Sequence, residues 1–246
     1  MTALAALDFK SVTKTYSRSH LGRTTRTRGI VELSLSVPEG ESFGLLGLNG
    51  SGKTTTFKLA LGLLRPTSGE VRIIGRPPAD AVVLAHVGFL PELPYFYPFL
   101  SPAEALRFYG RLSGLGGSEL SGRIAQVLEL VGLAAQRDRR MGDFSKGMVQ
   151  RVGLAQAVLH DPKLIILDEP VSGLDPLAIK EFRDLLGVLR GQGKTLIVSS
   201  HSISELERLC DRVGILKDGR LTRTIAHTEW ESAPEGLEGL FIEAVR

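Results

Sequence analysis

The chain has 246 residues, of which 43% are hydrophobic and 23% charged, a globular composition with room for one large α/β domain. No apolar run approaches the roughly 18 residues that suggest a membrane span, and the N-terminus lacks the basic-then-apolar pattern of a signal peptide. The single cysteine, Cys210, excludes an internal disulfide and is typical of a small buried residue in a reducing compartment. A net charge of +3 does not distinguish a nucleic-acid partner, an anionic membrane surface or neither.

Strand patterns dominate the first hundred or so residues. Over residues 30–37, Val31, Leu33, Leu35 and Val37 alternate with polar residues, which predicts a half-buried strand. The apolar run 43–46 predicts a strand covered on both faces, and a glycine-rich turn then leads into a predicted helix over 53–64. Further strands are predicted at 71–74 and 87–90.

The middle of the chain is predicted to be helical. Ser101-Pro102-Ala103-Glu104 has the pattern of a helix start, with Ser as N-cap and Glu at the third position. Apolar stripes predict two more helices, over residues 123–131 and 146–160.

Strands and helices alternate in the last part. Strands are predicted at 164–167, 195–199 and 212–216, and helices at 176–189 and 202–209. A capping box, Ser202-x-x-Glu205, is expected to open the second helix, and Asp218-Gly219 predicts a hairpin turn. Such alternation favours a mostly parallel sheet with ligands at the carboxyl ends of its strands. No element is predicted after Thr222.

One segment, residues 47–54, fits the phosphate-binding pattern G-x-x-x-x-G-K-[ST] between a predicted strand and a predicted helix. Its glycines let backbone N–H groups surround phosphate oxygens, and the helix N-terminus adds a favourable dipole. Lys53 is expected to neutralise the β and γ phosphates of ATP, and the Thr54 hydroxyl to bind Mg²⁺. The predicted loop residues that bind ATP are Gly47, Leu48, Asn49, Gly50, Ser51, Gly52, Lys53, Thr54 and Thr55.

A second motif is the apolar strand 164–167 followed by Asp168-Glu169. Carboxylates at the carboxyl end of a strand are placed where ligands bind, so Asp168 is predicted to hold Mg²⁺ and Glu169 to polarise an attacking water. An Asp-Glu pair alone is common at solvated strand ends, and it becomes specific only downstream of a phosphate loop.

In this order the motifs resemble those of the ATP-binding subunit of ATP-binding-cassette (ABC) transporters, over residues 9–221. The resemblance implies one α/β domain: a P-loop NTPase core with a mixed, mainly parallel sheet, an antiparallel N-terminal β region and a helical subdomain. The core would comprise about residues 1–100 and 160–221, the helical subdomain about 101–159, and a short tail 222–246.

Three further roles follow from the resemblance. Tyr16 would stack on adenine, the alternative being an exposed aromatic at a strand end. Asp175 would lie at a dimer seam, although it can also serve simply as the N-cap of the helix at Pro176. His201 would contact the γ-phosphate.

The signature segment of the family corresponds to Ser145, Lys146, Gly147 and Met148, at a helix start that offers a second anion site. The resemblance implies that these residues bind the ATP of a second, head-to-tail subunit. Lys146 replaces the usual glycine and Met148 the usual glutamine. Lys146 either adds positive charge near the γ-phosphate or points into solvent, and we favour solvent.

Glu92 is a second departure, because the family usually has glutamine here, in contact with Mg²⁺ or water. Ionised glutamate only accepts hydrogen bonds, so a contact with the metal can survive the change. The Leu-Pro-Glu form at residues 90–92 resembles an exporter branch of the family.

Two segments have alternative interpretations. Four aromatics in residues 93–100 either pack beneath the helical lobe or line a groove for a helix of a membrane subunit, and we expect some in each place. The basic run of residues 18–28 is typical of a solvated hairpin loop, and the alternative is contact with anionic lipid headgroups or ATP phosphates.

The resemblance therefore implies an Mg²⁺-dependent ATPase on the cytoplasmic face of the cell membrane, working with integral-membrane subunits and a second ATP-binding subunit, with no nucleic-acid partner. Export is favoured. An importer ATPase and a soluble cassette ATPase are the alternatives, whereas a subunit without turnover is disfavoured because Glu169 and His201 are both present.

Overall fold

A computed structural model describes residues 5–20 and 23–245, and the side chains of residues 18–26 lie outside that description. Contacts divide the chain into two compact units, here called the first unit (Met1–Leu84 with Thr195–Arg246) and the second unit (Ala85–Lys194). The predicted helical subdomain, residues 101–159, falls inside the second unit.

The first unit begins with β1 (Ala5–His20), β2 (Arg23–Pro38), β3 (Ser42–Leu46), α1 (Lys53–Ala60), β4 (Ser68–Ile73) and α2 (Ala81–Leu84). The second unit consists of β5 (Val87–Leu90), α3 (Pro102–Leu112), α4 (Gly117–Leu130), α5 (Lys146–Val158), β6 (Leu164–Asp168) and α6 (Pro176–Gly191). The chain returns to the first unit with β7 (Thr195–Ser200), α7 (Ile203–Leu209), β8 (Arg212–Lys217), β9 (Arg220–Ala226), α8 (His227–Ser232) and α9 (Gly236–Val245).

Two kinds of sheet occur. An antiparallel sheet in the first unit has the order β2-β1-β4. In the same unit β3 runs parallel to both β7 and β8, and β9 pairs antiparallel with β8 across the predicted Asp218-Gly219 turn, where both residues have positive φ. In the second unit β5 and β6 are parallel. These sheets confirm the predicted α/β class.

The basic run lies on paired strands and not in a loop, which corrects the prediction. β1 and β2 stay paired without a further register shift from Thr15 opposite Arg28 to His20 opposite Arg23. Arg28 is exposed. The side chains of Arg18, His20, Arg23 and Arg26 fall outside the described part, so the question of a lipid or phosphate contact stays open.

A bulge shifts the buried face within β2. Leu33 pairs with Val12 but Ile30 pairs with Lys14, so β2 contains one extra residue, and Glu32 has a φ of +50°. Consequently Ile30 and Leu33 are buried, whereas Val31, predicted to face inward, is only half-buried. An inserted residue moves every later side chain to the other face.

The other differences between the predicted and the observed elements lie at the ends of helices and in the tail. The helix predicted to reach residue 64 ends at Ala60, because Gly62 adopts a φ of +68°. The capping box expected at Ser202 is absent; its Oγ lies 3.3 Å from that of Ser204 instead. After Thr222, β9 continues and two helices follow. Within the described ranges, no helix combines the length and apolarity needed to cross a membrane.

Candidate functional site

The predicted phosphate loop joins β3 to α1 in the first unit, and its backbone leaves no room for side chains at two positions. A Cβ on Gly47 would lie 2.5 Å from Ser51 Oγ and 2.6 Å from the Leu216 carbonyl oxygen. Gly52 has a φ of +114°, and a Cβ there would lie 2.7 Å from Ile30 Cδ1. The loop is therefore formed by main chain alone at these two positions, as a phosphate cradle requires.

Positive potential converges on this loop. Lys53 is buried, and its Nζ donates a 2.6 Å hydrogen bond to the Gly47 carbonyl, so the ammonium group curls back over the loop. In the described structure no side chain caps α1 at Gly52, which leaves the helix N-terminus for an anion. The Thr54 side chain is exposed beside it. This donor set fits the phosphates of ATP, and the Thr54 hydroxyl is an oxygen ligand of the kind Mg²⁺ takes.

Tyr16 stands next to the first turn of α1. Its hydroxyl lies 3.1 Å from Thr55 Oγ1, and the ring is 38% exposed. Gly29 permits this position, because a Cβ there would come within 2.7 Å of Tyr16 Cε2. Lys14 Nζ lies 5.6 Å from the ring centroid. The ring is therefore exposed and held beside the phosphate-loop helix, and its predicted stacking on adenine stays a prediction.

His201 leaves the sheet at the same edge as the phosphate loop. In the parallel β3–β7 pair, Leu46 is opposite Ser200, so Gly47 and His201 each follow the last residue of neighbouring strands. The carboxyl ends of parallel strands are where α/β proteins bind ligands. The first unit thus brings Tyr16, the loop and His201 to one helix–strand edge.

In the second unit, β6 delivers the two carboxylates. Asp168 is its last residue and Glu169 follows, and both are largely buried. Glu169 has a φ of +46°, a conformation that costs a non-glycine residue about 1–2 kcal/mol and is often kept at functional sites. Leu90 is opposite Leu167 in the β5–β6 pair, so Glu92 emerges at the same edge as Asp168.

The signature residues and Asp175 share one groove of the second unit. Ser145 caps α5 by accepting a 3.3 Å hydrogen bond from the Met148 amide, and Asp175 caps α6 by accepting from Leu177 and Ala178. A groove of about 290 Å³ contains Ser145, Gly147, Met148 and Asp175 in its wall. Asp175 therefore is an N-cap, and its predicted place at a dimer seam stays a prediction.

Lys146 is exposed, in line with the preferred interpretation, but its ammonium group also makes a contact within the second unit. Its Nζ donates a 2.6 Å hydrogen bond to the Ser172 carbonyl oxygen, in the turn between Glu169 and Asp175. The Ser172 hydroxyl in turn lies 3.5 Å from Glu92 Oε1.

The aromatic segment after Glu92 is more exposed than expected. Tyr95, Tyr97 and Phe99 are 77%, 57% and 64% exposed, and only Phe96 is half-buried, edge-on to Tyr109. None of the four is buried in the core, so the expectation that some of them pack there is wrong. The three exposed rings form an apolar surface of the second unit.

Sequence reasoning missed two participants. The Thr55 hydroxyl lies within hydrogen-bond distance of the Tyr16 hydroxyl, while its predicted role in binding ATP stays a prediction, and Ser172 joins Lys146 to Glu92. Neither contact has a sequence signal, because each joins residues far apart in the chain. The candidate residues also divide between units: Tyr16, the phosphate loop and His201 lie in the first, and the others in the second.

The α/β fold and the phosphate loop at residues 47–54 together define a P-loop nucleotide-binding protein. The sequence profile described as "ABC transporter" matches residues 30–172, more than half of the chain. The chain belongs to the ABC transporter family, as one of its ATP-binding proteins.

Curated relatives carry the same description. The chain is 40% identical over 235 residues to an uncharacterized ABC transporter ATP-binding protein of Synechocystis, covering 93% of this chain and 66% of that protein. It is 41% identical to the bacitracin transport ATP-binding protein BcrA of Bacillus licheniformis, with 80% and 65% covered. It is 38% identical to the Nod factor export ATP-binding protein I of Paraburkholderia xenovorans, with 88% and 69% covered. The chain thus spans about two thirds of the length of these relatives.

Solved structures agree. An ATP-binding subunit of an ABC transporter superposes with a TM-score of 0.81 at 30% identity, covering 97% of this chain and 99% of that one. A dimeric ATP-binding cassette in a post-hydrolysis state with ADP and Pi superposes with a TM-score of 0.80 at 27% sequence identity, covering 90% of this chain and 98% of that one. The cbiO1 protein of Clostridium perfringens is part of the ABC transporter complex cbiONQ. It superposes with a TM-score of 0.82 at 25% sequence identity, covering 97% of this chain and 95% of that one.

Proposed function

We propose that this chain hydrolyses ATP to drive export through separate integral-membrane subunits, from the cytoplasmic face of the membrane. The observation that carries the proposal is the cradle of Gly47 and Gly52 with Lys53 folded over it and His201 at the same sheet edge. The relatives named for bacitracin transport and Nod factor export favour transport outward.

In the proposed mechanism the protein positions groups and stabilises charge, with little covalent work. Backbone amides at 47–54 and Lys53 hold the β and γ phosphates, and His201 orients the γ-phosphate. Glu169 orients the attacking water and accepts its proton. Mg²⁺, when bound, would be held by the Thr54 hydroxyl and the Asp168 carboxylate, with Glu92 as a further oxygen donor, and would neutralise phosphate charge.

A second subunit completes the proposed site. Ser145 and Gly147 line a polar groove at a helix start, a suitable place for the phosphates of a partner's ATP. The family member solved as a dimer with ADP and Pi supports such an arrangement. The exposed rings of Tyr95, Tyr97 and Phe99 are proposed to receive a helix of the membrane subunit.

The test is steady-state hydrolysis of ATP·Mg with Glu169→Gln. We expect kcat to fall by about 100-fold or more while ATP still binds, since general-base groups contribute about 10²–10⁴-fold. Glu129→Gln, an exposed glutamate on α4, is the matched control and should leave kcat unchanged. Hydrolysis that does not depend on Glu169 would overturn the enzyme assignment. For transport, affinity purification from a detergent extract should recover an integral-membrane protein, and recovery of soluble assemblies alone contradicts export.

A further inference from the structure

Two charged residues of the candidate site, Lys146 and Glu92, both contact Ser172. Lys146 Nζ donates a 2.6 Å hydrogen bond to the Ser172 carbonyl, and the Ser172 hydroxyl lies 3.5 Å from Glu92 Oε1. Gly173 makes room for the ammonium group, because a Cβ there would lie 2.6 Å from Lys146 Nζ. All four residues belong to the second unit.

Helix electrostatics favour a local acceptor for this exposed lysine. Lys146 is the first residue of α5, and no acidic residue lies in the first turn of that helix. A cation there is opposed by the positive end of the helix dipole. A main-chain carbonyl within hydrogen-bond distance offsets that penalty, and a charged donor makes such a bond stronger than a neutral one.

The bonded carbonyl lies within the turn that follows the catalytic carboxylate. Ser172 N donates to the Glu169 carbonyl at 3.1 Å, and Leu174 N donates to the Val171 carbonyl at 3.2 Å. Beyond the turn, Asp175 caps α6. Lys146 therefore connects the signature helix start to the segment that carries Glu169 at one end and Asp175 at the other.

We propose that Lys146 is a positioning residue that fixes the 169–175 turn of its own subunit, and not a ligand of a partner's phosphate. As far as it concerns catalysis, this inference rests on the proposed ATPase function. A glycine at this position could not make the contact.

The first test is amide hydrogen exchange of the nucleotide-free chain in peptides spanning residues 170–176. Lys146→Met keeps the aliphatic stem and removes the donor, and we expect exchange about three- to ten-fold faster, the loss of one charge-assisted bond. Lys146→Arg should stay within about two-fold of the parent, because a guanidinium still donates. Lys180→Met, an exposed lysine on α6, is the control and should match the parent.

Ser172→Ala separates the carbonyl contact from the hydroxyl contact. This variant retains the carbonyl that accepts from Lys146 and removes only the long bond to Glu92, so exchange should change by less than about two-fold. Unchanged exchange in Lys146→Met, with cooperative unfolding preserved, overturns the proposal.

The second test is the split between kcat and KM for ATP. A positioning role predicts that Lys146→Met lowers kcat by about three- to ten-fold at an unchanged KM, with recovery in Lys146→Arg. A raised KM at an unchanged kcat would make Lys146 a phosphate ligand and overturn the inference. If the parent chain shows no Glu169-dependent hydrolysis, the proposed function fails, while the exchange experiment still decides the lysine contact.

Discussion

At the residue scale, two glycines of the phosphate loop differ in their surroundings. Gly50 and Gly52 both have positive φ, but a Cβ on Gly50 would meet nothing within 4 Å, whereas one on Gly52 would lie 2.9 Å from the Gly29 carbonyl oxygen. We predict that Gly50→Ala lowers the free energy of unfolding by about 1–2 kcal/mol, the cost of left-handed backbone. Gly52→Ala should cost about 2–5 kcal/mol, because the steric clash adds to that cost.

Urea unfolding measures the free energy of unfolding of the Gly50→Ala and Gly52→Ala variants. Binding of a non-hydrolysable ATP analogue shows whether the phosphate loop of each variant still binds nucleotide. Equal destabilisation by the two alanines would mean that the close approach of residues 29 and 52 does not constrain the loop.

His160 gives a pH dependence with a definite sign. Its ring is partly buried, and Nε2 lies 3.1 Å from the Val87 carbonyl. Burial lowers the pKa of His160 below its usual value, with the Val87 bond opposing and the Arg123 charge adding to the shift. Between that lowered pKa and about 6.5, the unfolded chain binds more protons than the folded chain. Stability should therefore be complete above about pH 6.5 and fall as the pH drops through this window.

His160→Gln is the corresponding variant, since its amide can still donate to the Val87 carbonyl. We expect the free energy of unfolding of this variant to be less dependent on pH over the window, as measured by urea unfolding at a series of pH values. Parallel pH profiles for parent and variant would show that His160 does not titrate differently in the two states.

At the element scale, Ser101 and Ser202 both begin a Ser-x-x-Glu pattern, but only one of them caps its helix. Ser101 accepts a hydrogen bond from the Glu104 amide, and Glu104 Oε2 accepts from the Ser101 amide, so α3 has a complete capping box. Ser202, also followed by glutamate three residues on, makes no side-chain cap on α7. Ser101→Ala should cost about 1 kcal/mol in urea unfolding. Ser202→Ala should change stability by less than about 0.5 kcal/mol, and an equal effect would contradict the observed geometry.

The contrast between Ser101 and Ser202 shows how far the helices and strands could be predicted from the sequence. Elements with a clear local signal were predicted with near-correct limits, as for the short apolar strand at 87–90 and the helix start at the capping box of Ser101. The 202–209 box has the right residue types, but local geometry decides which hydroxyl a serine contacts. The Glu32 bulge depends on cross-strand pairing, which no local pattern specifies.

Contacts between distant segments account for the rest of the candidate site. Glycine spacing identified the phosphate loop because the backbone requirement is local. The Lys146–Ser172 bond joins residues 26 apart in the chain, and the Tyr16–Thr55 bond joins residues 39 apart. Exposure of Tyr95, Tyr97 and Phe99 likewise depends on what the rest of the unit leaves uncovered, which apolar composition cannot show.

At the scale of the whole molecule, the proposed composite site makes a prediction for mixed subunits. Lys53→Ala removes the loop lysine but leaves the signature, and Ser145→Arg blocks the signature groove but leaves the loop. Each variant alone should be inactive, because every site in its homodimer contains one damaged half.

Mixing the two variants should restore activity. In a head-to-tail heterodimer one site combines both damaged halves, but the other combines the intact loop of the Ser145→Arg chain with the intact signature of the Lys53→Ala chain. If subunits assort at random and sites act independently, an equal mixture should recover about a quarter of the parent ATPase rate. Glu129→Gln in place of either variant controls for the amount of protein. A mixture that stays at the sum of the two inactive variants would show that two copies of this chain do not share sites head to tail.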